Sequence, residues 1–241
     1  MKNPNGPYPG RQIFLGITEK GNPVFAYLVT GRSPASRERK AVPTGNGIII
    51  GPLGDIPYDP LRHYTAVRYD NGIGLAVISN GIQTDAIFET YRLLYHVASA
   101  PTKSYLKKLM DGARYEPDSL GTPRIAGVIT SPTGKYDHVY LVSIITSSGP
   151  ATAWKLQPAP GTLIGISTYA GDMEKPEAFR IDEGLPVVPF DAETPEDIAG
   201  FIYDISAETH QGNDIRVCAV GGVRQDDGLD WQTAAINCHK N

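Results

Sequence analysis

The sequence has few cysteines and no long apolar run. Its two cysteines, Cys218 and Cys238, are too few to complete a four-ligand metal site. Both fall in strand-like runs, where a reduced cysteine behaves as a small buried hydrophobe. No apolar stretch approaches the roughly 20 residues of a membrane-spanning helix, and the first residues lack the apolar segment of a signal peptide. We therefore expect a soluble, cytoplasmic protein without a membrane partner.

Several signature motifs are also missing. The five histidines show no metal-ligand spacing and accompany no Gly-X-Ser-X-Gly motif, and neither a Walker loop nor a Gly-X-Gly-X-X-Gly fingerprint occurs. The formal net charge of -4 argues against the broad basic face that general nucleic-acid binding requires, so we expect no nucleic-acid partner. Any site for an anion must then be a local one.

The composition is that of an ordinary globular protein. Of the 241 residues, 41% are hydrophobic and 20% are charged, which allows a sizeable core. We expect a single domain over residues 1–241, with residues 1–9 as an N-terminal extension.

Short apolar runs bounded by turn residues predict strands, and apolar residues at helical spacing predict helices. The predicted strands are 12–18, 24–29, 47–51, 64–69, 73–79, 124–130, 136–146, 152–156, 163–169, 215–223 and 231–238, and the predicted helices are 84–98, 102–112 and 194–205. Asn71-Gly72 predicts a tight hairpin, residues 224–228 predict a second one, and Gly112 is suited to the left-handed end of a helix.

Two groups of strands with helices between and after them predict an α+β fold. In that fold two mainly antiparallel sheets pack face to face, and helices cover the outside. A doubly wound parallel sheet fits the pattern poorly, because the first five strands leave no room for crossover helices.

The densest positive charge lies in residues 30–40, TGRSPASRERK, directly after the strand 24–29. Four cations and one carboxylate give this segment a local charge of +3. Its serines and glycine add hydroxyl and backbone donors that suit phosphate oxygens. A solvated basic loop is the alternative interpretation, because most surface charge runs are solvated.

Two further segments carry polar groups next to predicted strands. Arg11 follows Gly10, which lets the backbone pass close to a ligand. Residues 79–85, SNGIQTD, place amide, hydroxyl and carboxylate groups beside a helix start. Capping and turn formation explain part of this segment but do not require Asn80 or Gln83.

Glu116 and Asp118 stand two positions apart, shortly before the strand that begins at Arg124. Such a pair could supply a general base and an orienting partner, because two neighbouring carboxylates rarely hold the same proton affinity. Solvated loop acids are the alternative. Composition and spacing alone thus predict an α+β domain with a local anion site.

Five short motifs, taken in order, resemble the archaeal-type IMP cyclohydrolase family. They are GR at 10–11, AY at 26–27 with GRS at 31–33 and Arg37, SNG at 79–81 with TD at 84–85, YE at 115–116, and TPRIA at 122–126. A weaker similarity extends through residues 166–169 and 194–205, so that most of the chain after residue 9 is covered.

The resemblance implies a fold and a reaction. The fold is the four-layer αββα arrangement of N-terminal-nucleophile hydrolases. The reaction closes the ring of 5-formamidoimidazole-4-carboxamide ribotide to give inosine monophosphate and water, the last step of purine synthesis. It requires a small-molecule ribonucleotide but no metal, redox cofactor or covalent intermediate, and the family's proteins of this size commonly self-associate.

The resemblance also implies site residues. Arginines would engage phosphate or carbonyl groups, Asn80 and Tyr27 would orient the reacting amides, and Glu116 would handle protons. The predicted catalytic residues are Glu116, Asn80, Tyr64 and Asp118, and the predicted substrate-binding residues are Arg11, Tyr27, Arg32, Ser33, Arg37, Gln83, Thr84, Asp85 and Arg124. Arg39 and Lys40 are expected to face solvent or to form local ion pairs.

The chain departs from the family's pattern at several positions. Gln83 stands where the family usually has a histidine, and Pro117 and Thr65 replace a lysine and an asparagine. Glutamine cannot shuttle protons near neutral pH, so this position either only hydrogen-bonds substrate or belongs to a diverged activity. A nucleotide-binding module without turnover and a hydrolase of a different amide therefore stay open as alternatives. Residues 170–191 are either a lid or a surface excursion.

Overall fold

The computed structural model describes residues 3–4, 6–131, 138–180, 184–225 and 230–239. Within them the chain forms fifteen strands and four α-helices. The strands are β1 (Arg11–Ile17), β2 (Pro23–Thr30), β3 (Arg39–Thr44), β4 (Gly47–Pro52), β5 (Tyr64–Asp70), β6 (Leu75–Ser79), β7 (Arg124–Thr130), β8 (Val139–Ile145), β9 (Thr152–Leu156), β10 (Thr162–Ser167), β11 (Val187–Pro189), β12 (Thr209–His210), β13 (Asn213–Asp214), β14 (Arg216–Arg224) and β15 (Trp231–Asn237), and the helices are α1 (Pro34–Arg37), α2 (Gln83–His96), α3 (Lys103–Ala113) and α4 (Pro195–Ile205).

The strands form two large sheets and one small hairpin. The seven-stranded sheet runs in chain order from β3 to β9, because each strand pairs with the next one along the sequence. The six-stranded sheet has the order β11-β10-β1-β2-β14-β15 and so combines strands from both ends of the chain. Neighbouring strands are antiparallel in both sheets, as the sequence predicted.

The two sheets pack against each other, and helices lie on their outer faces. Side chains such as Ile13 and Phe25 from one sheet and Ile48 and Ile78 from the other form the core between them. α4 packs its apolar side on the six-stranded sheet, and α2 and α3 pack on the seven-stranded one. β2 is buried along its whole length because both of its faces are covered. The molecule is therefore an α+β sandwich.

The start of α4 follows directly from its sequence. The Thr194 hydroxyl accepts a hydrogen bond from the Asp197 backbone N–H at 3.2 Å, and Pro195 occupies the first turn. Two carboxylates in that turn complement the helix dipole. The predicted helix 194–205 is thus confirmed.

Two predicted turns differ from the structure. β5 and β6 pair antiparallel, but Asp70 pairs with Leu75, which leaves four connecting residues instead of the tight Asn-Gly turn. These residues form a short 3₁₀ turn, and Gly74 takes the left-handed conformation with φ 63°. In α3 the helix continues through Gly112, and Arg114 takes the positive φ of 56° instead.

The largest error of the sequence interpretation concerns Arg39. Residues 39–44 form β3, which pairs with β4 across the turn at Gly45-Asn46, whereas Arg39 and Lys40 were assigned to the basic segment 30–40 and to solvent or local pairing. Alternation along β3 turns Arg39 and Ala41 inward, so Arg39 is 3% exposed and not directed to solvent.

Some predicted features lie outside the described residues. The first residues of the predicted strand 136–146, the tip of the hairpin at 226–228, and residues 181–183 of the segment 170–191 are among them. Within that segment the structure adds β11 to the edge of the six-stranded sheet. Cys218 is buried, Cys238 is half-buried, and both are free thiols. No helix in the described ranges is long and apolar enough to cross a membrane.

Candidate functional site

Several of the predicted residues meet at one end of the sandwich. Arg11, Arg39, Tyr64 and Arg124 stand at the starts of β1, β3, β5 and β7. Neighbouring strands run in opposite directions, so every second strand runs the same way. The starts of β3, β5 and β7 therefore lie at the same end of their sheet. Glu116, in the loop before β7, joins this end to β1 of the other sheet through its contact with Arg11.

The centre of the site is a buried carboxylate between two guanidinium groups. Glu116 Oε1 lies 2.9 Å from Arg11 Nη2 and 3.8 Å from Arg124 Nη1, and the three residues are 2%, 7% and 3% exposed. Burial raises the pKa of Glu116, and the two arginines offset only part of this rise. Burial would lower the pKa of Arg11, but the Glu116 carboxylate and nearby tyrosines reverse the effect and leave that pKa raised.

Three buried arginine N–H groups at this end of the sandwich have no partner among the described residues. Arg11 Nε, Arg39 Nη1 and Arg124 Nε make no hydrogen bond within the part of the chain that the structure describes. A buried donor left unpaired costs about 1–3 kcal/mol. The guanidinium groups of Arg11 and Arg124 face the Glu116 carboxylate, and the charge of Arg39 acts on the neighbouring tyrosines. The cluster is therefore suited to a ligand that carries negative charge or carbonyl oxygens.

A pair of tyrosine hydroxyls lies beside the arginines, between the two sheets. The hydroxyls of Tyr27 and Tyr64 are 2.8 Å apart, and both side chains are buried. Burial raises the pKa of each phenol, and the positive charges of Arg11 and Arg39 only partly oppose it. Both phenols are therefore protonated near neutral pH. One O–H donates to the other oxygen, and the second O–H remains available as a donor.

Asn80 and Gln83 form a chain of amides that ends on Arg124. Asn80 Oδ1 accepts from the Ile125 backbone N–H at 2.8 Å, and Asn80 Nδ2 donates to the Pro123 carbonyl at 2.9 Å. Gln83 Nε2 donates to Asn80 Oδ1 at 3.2 Å, while Gln83 Oε1 accepts from Arg124 Nη1 at 3.1 Å. These contacts orient Arg124. Gln83 makes them as a neutral amide, without gaining or losing a proton.

Two glycines allow the backbone to pass close to the arginines. A Cβ atom at Gly81 would clash with the Arg124 guanidinium. Gly10 has φ 69°, and a Cβ atom there would clash with Oγ1 of Thr168, the atom that accepts a hydrogen bond from the Arg11 backbone N–H. The Gly-Arg and Ser-Asn-Gly motifs thus have a steric basis.

Asp118 holds the loop that carries Glu116. Its carboxylate accepts hydrogen bonds from the backbone N–H groups of Leu120 and Thr122 and from the Thr122 hydroxyl. The Thr122 hydroxyl lies 2.6 Å from the Tyr169 hydroxyl, and the Thr122 carbonyl accepts from the Glu116 N–H at 2.9 Å. Asp118 is therefore linked to the site through Thr122 and Tyr169.

The exposed arginine loop makes a different set of contacts. Arg32 Nη1 donates to the Met173 carbonyl at 2.5 Å, and Arg37 Nη1 donates to the Arg32 carbonyl at 2.9 Å. The Ser33 hydroxyl caps α1 by accepting from the Ser36 N–H at 3.2 Å. Within the described ranges, the hydrogen bonds of these three predicted substrate-binding side chains do not reach Glu116 or the tyrosine pair.

Thr84 and Asp85 also point elsewhere. The Thr84 hydroxyl donates to the Thr65 carbonyl at 2.6 Å, which ties the start of α2 to β5. The Asp85 carboxylate is exposed and lies 3.1 Å from Arg68 Nη1. The structure therefore places these two side chains in local helix and surface contacts.

Three residues of the site were missed by sequence reasoning: Arg39, Thr122 and Tyr169. Arg39 Nε donates to the Ser36 carbonyl at 2.9 Å, and its charge acts on both tyrosines. A signal for Arg39 existed, because the turn at Gly45-Asn46 before the predicted strand 47–51 is typical of a hairpin. No group of histidine, cysteine or acidic side chains suited to a metal ion occurs among the residues that the structure describes.

Comparisons with known proteins agree on one family. A family model described as IMP cyclohydrolase-like protein matches residues 8–228. The IMP cyclohydrolase of Methanocella arvoryzae is 30% identical over 228 residues, which cover 92% of this chain and 96% of the relative. The IMP cyclohydrolase of Halobacterium salinarum is 30% identical over 95% of this chain and 98% of the relative. That of Methanocaldococcus jannaschii is 28% identical over 91% of this chain and 95% of the relative.

Proposed function

This chain belongs to the IMP cyclohydrolase-like family, and we propose that it closes 5-formamidoimidazole-4-carboxamide ribotide to inosine monophosphate. The observation that carries the proposal is the buried Glu116 carboxylate between Arg11 and Arg124, with Arg39 beside the neighbouring tyrosine pair. Each of the three arginines keeps an N–H that has no partner among the described residues. A ribotide brings a phosphate and two amide carbonyls, which are the acceptors that these donors lack. The proposal also takes the fold as N-terminal-nucleophile-hydrolase-like, which the helix layers outside both sheets support.

The reaction sets definite demands on the site. The carboxamide nitrogen attacks the formyl carbon and forms the new C–N bond. One hydrogen from the carboxamide and one from the formamide nitrogen then leave with the formyl oxygen as water. This loss of water forms a C=N bond between the formyl carbon and the formamide nitrogen of the closed ring. The protein must hold the two groups together, accept a proton, stabilise charge on the formyl oxygen and protonate the departing hydroxyl.

We assign the proton steps to Glu116. As a carboxylate it accepts the carboxamide proton during attack and passes it to the formyl oxygen, which becomes a hydroxyl. It then accepts the formamide N–H proton and, as a carboxylic acid, gives it to the departing hydroxyl, which leaves as water. Its raised pKa brings the two protonation states closer in energy near neutral pH, which suits a group that must act as base and then as acid. Arg11 fixes the carboxylate in position at 2.9 Å.

The tyrosine pair is the proposed donor to the formyl oxygen. One O–H of Tyr27 and Tyr64 is free to donate, and the nearby guanidinium charges strengthen it as a donor. Asn80 and Gln83 are proposed as positioning residues for Arg124, because their amide groups are already engaged with Arg124 and backbone atoms. Asp118 is proposed to act through the loop that it holds.

Two predicted groups receive smaller roles. We propose that Arg32, Ser33 and Arg37 hold the loop that carries α1, because their hydrogen bonds end on backbone groups of that loop and of residue 173. Thr84 and Asp85 serve the start of α2. Self-association remains an expectation from the resemblance. Both interpretations of residues 170–191, a lid or a surface excursion, stay open.

Turnover of the purified protein tests the function. The formylated ribotide is mixed with the protein, and inosine monophosphate is followed by ultraviolet absorbance, with the dephosphorylated nucleoside as the matched control. We expect rapid closure of the ribotide and slow closure of the nucleoside. Equal rates on both would contradict a phosphate anchor. Binding of the ribotide without closure would favour the nucleotide-binding module, and release of formate would favour an amide hydrolase.

A further inference from the structure

The C-terminal strand β15 contacts the edge of the other sheet next to the site. β3 and β15 are edge strands of different sheets, and they lie against each other. β15 begins at residue 231, after the end of the match to the family model at residue 228. Its contact with β3 is therefore a feature of this chain that the family match does not cover.

Among the described residues, Asn237 supplies two side-chain hydrogen bonds of this contact. Asn237 Oδ1 accepts a hydrogen bond from the Ala41 backbone N–H at 2.7 Å, and Asn237 Nδ2 donates to the Ala41 carbonyl at 3.0 Å. In an antiparallel edge strand, the N–H and C=O of alternate residues face away from the only neighbour. The Asn237 carboxamide thus replaces the missing neighbour strand at Ala41.

Ala41 and Arg39 lie on the same side of β3, two residues apart. Arg39 keeps Nη1 without a hydrogen-bond partner among the described residues, while Nε is held by the Ser36 carbonyl. A second contact supports the same segment, because His239 Nε2 lies 2.8 Å from the Arg37 carbonyl. The C-terminal end of the chain therefore fixes the backbone on both sides of Arg39.

We propose that Asn237 is a positioning residue that holds β3 in the register in which Arg39 can bind the substrate's acceptor oxygens. The inference rests on the proposed function, because it assigns Arg39 to the ribotide. Asn237 itself does not touch the ligand. Loss of the Asn237 side chain lets the edge strand β3 move. Displacement of a binding group by about 1 Å can lower an enzyme's rate up to about 100-fold.

The test compares Asn237→Ala with Gln232→Ala, which removes an exposed amide from the same strand. We expect Asn237→Ala to raise KM for the ribotide and the Kd for inosine monophosphate about tenfold, with kcat changed less than about threefold. Gln232→Ala should leave all three constants unchanged. Should Asn237→Ala fail to fold, Asn237→Asp gives the same comparison, because it keeps the acceptor for Ala41 N–H and loses the donor.

A double-mutant cycle shows whether Asn237 acts through Arg39. In an Arg39→Met background, Asn237→Ala should change the Kd for inosine monophosphate less than about twofold, because the group that it positions is gone. Additive effects of the two changes would overturn the inference, as would a wild-type Kd in Asn237→Ala. If the wild-type protein binds the nucleotide but does not turn over, only the catalytic part of the proposed function fails. If it does neither, both fail.

Discussion

The molecule carries two groups of arginines, one in the exposed loop and one buried between the sheets. In the loop, Arg32 donates to the backbone carbonyl of residue 173, and Arg37 donates to that of residue 32. In the buried group, Arg11, Arg39 and Arg124 each keep an N–H without a partner among the described residues. The loop is conspicuous in the sequence because its charges are consecutive. The buried group has the donors that a ligand can still use.

The difference follows from where each arginine stands in its element. A four-residue helix and its turns expose carbonyl groups that long side chains can reach, so Arg37 donates to the Arg32 carbonyl, while Arg32 reaches the Met173 carbonyl outside the loop. Arg11, Arg39 and Arg124 stand at strand starts and are buried, and each keeps one N–H without a partner among the described residues. Local charge density therefore identifies a basic segment, whereas burial together with unpaired donors identifies a ligand site.

The largest effect is expected for Glu116→Gln, which removes the proposed proton acceptor from the buried group but keeps its size. We expect kcat to fall about 10²- to 10⁴-fold at saturating ribotide, the usual range for a general base. Steady-state kinetics measures it, with Asp118→Asn as a comparison at the neighbouring carboxylate. A full rate in Glu116→Gln would move the proton role to another group.

Arg39→Met and Arg37→Met separate the two groups directly. The first should lower kcat/KM about 100-fold, because a charged hydrogen bond to substrate is lost and the remaining site stays buried. The second should change it less than about threefold, because the Arg37 side chain bonds to loop carbonyls. The reverse order of effects would show that the loop is the anion site.

Gly81→Ala tests whether the position of Arg124 matters. The added methyl group meets the guanidinium, which is held by Gln83 and cannot move without breaking that bond. We expect kcat/KM to fall about tenfold. Gly45→Ala is the matched control, because a Cβ atom at Gly45 meets nothing within 4 Å. Equal activity of the two variants would argue that Arg124 does not need its present place.

The smallest effect concerns stability and pH. Because the pKa of folded Glu116 is raised, the folded protein binds that proton more readily than the unfolded chain. This contribution is complete below the unfolded pKa of about 4.3 and is lost as the pH rises through the raised value. The free energy of unfolding of the wild type should therefore fall relative to Glu116→Gln as the pH rises towards 7. Urea titrations of both proteins measure this difference, and a flat or rising difference would contradict the raised pKa.

Much of the fold could be predicted from the sequence. Alternating and continuous apolar runs located most strands, and the Thr-Pro start fixed α4, because these signals are local. β3 was missed since its first two residues are charged and the burial of Arg39 depends on the other sheet. The turn near Asn71 was misjudged because strand register, rather than the Asn-Gly pair, sets its length.

The site could be predicted only in part. Resemblance supplied Arg11, Glu116 and Arg124, but their mutual contacts join residues as far as 105 positions apart. No local pattern reveals that Gln83 orients Arg124 or that Asn237 completes the edge at Ala41. Such relations depend on the packing of two sheets and become visible only in the folded chain.

A crystal structure with inosine monophosphate bound tests the central claim most directly. The account predicts oxygens of the nucleotide within hydrogen-bond distance of Arg11, Arg39 and Arg124, with Glu116 facing the new ring. A nucleotide whose phosphate is held by Arg32 and Arg37, while the buried arginines remain without contact to it, would contradict the account.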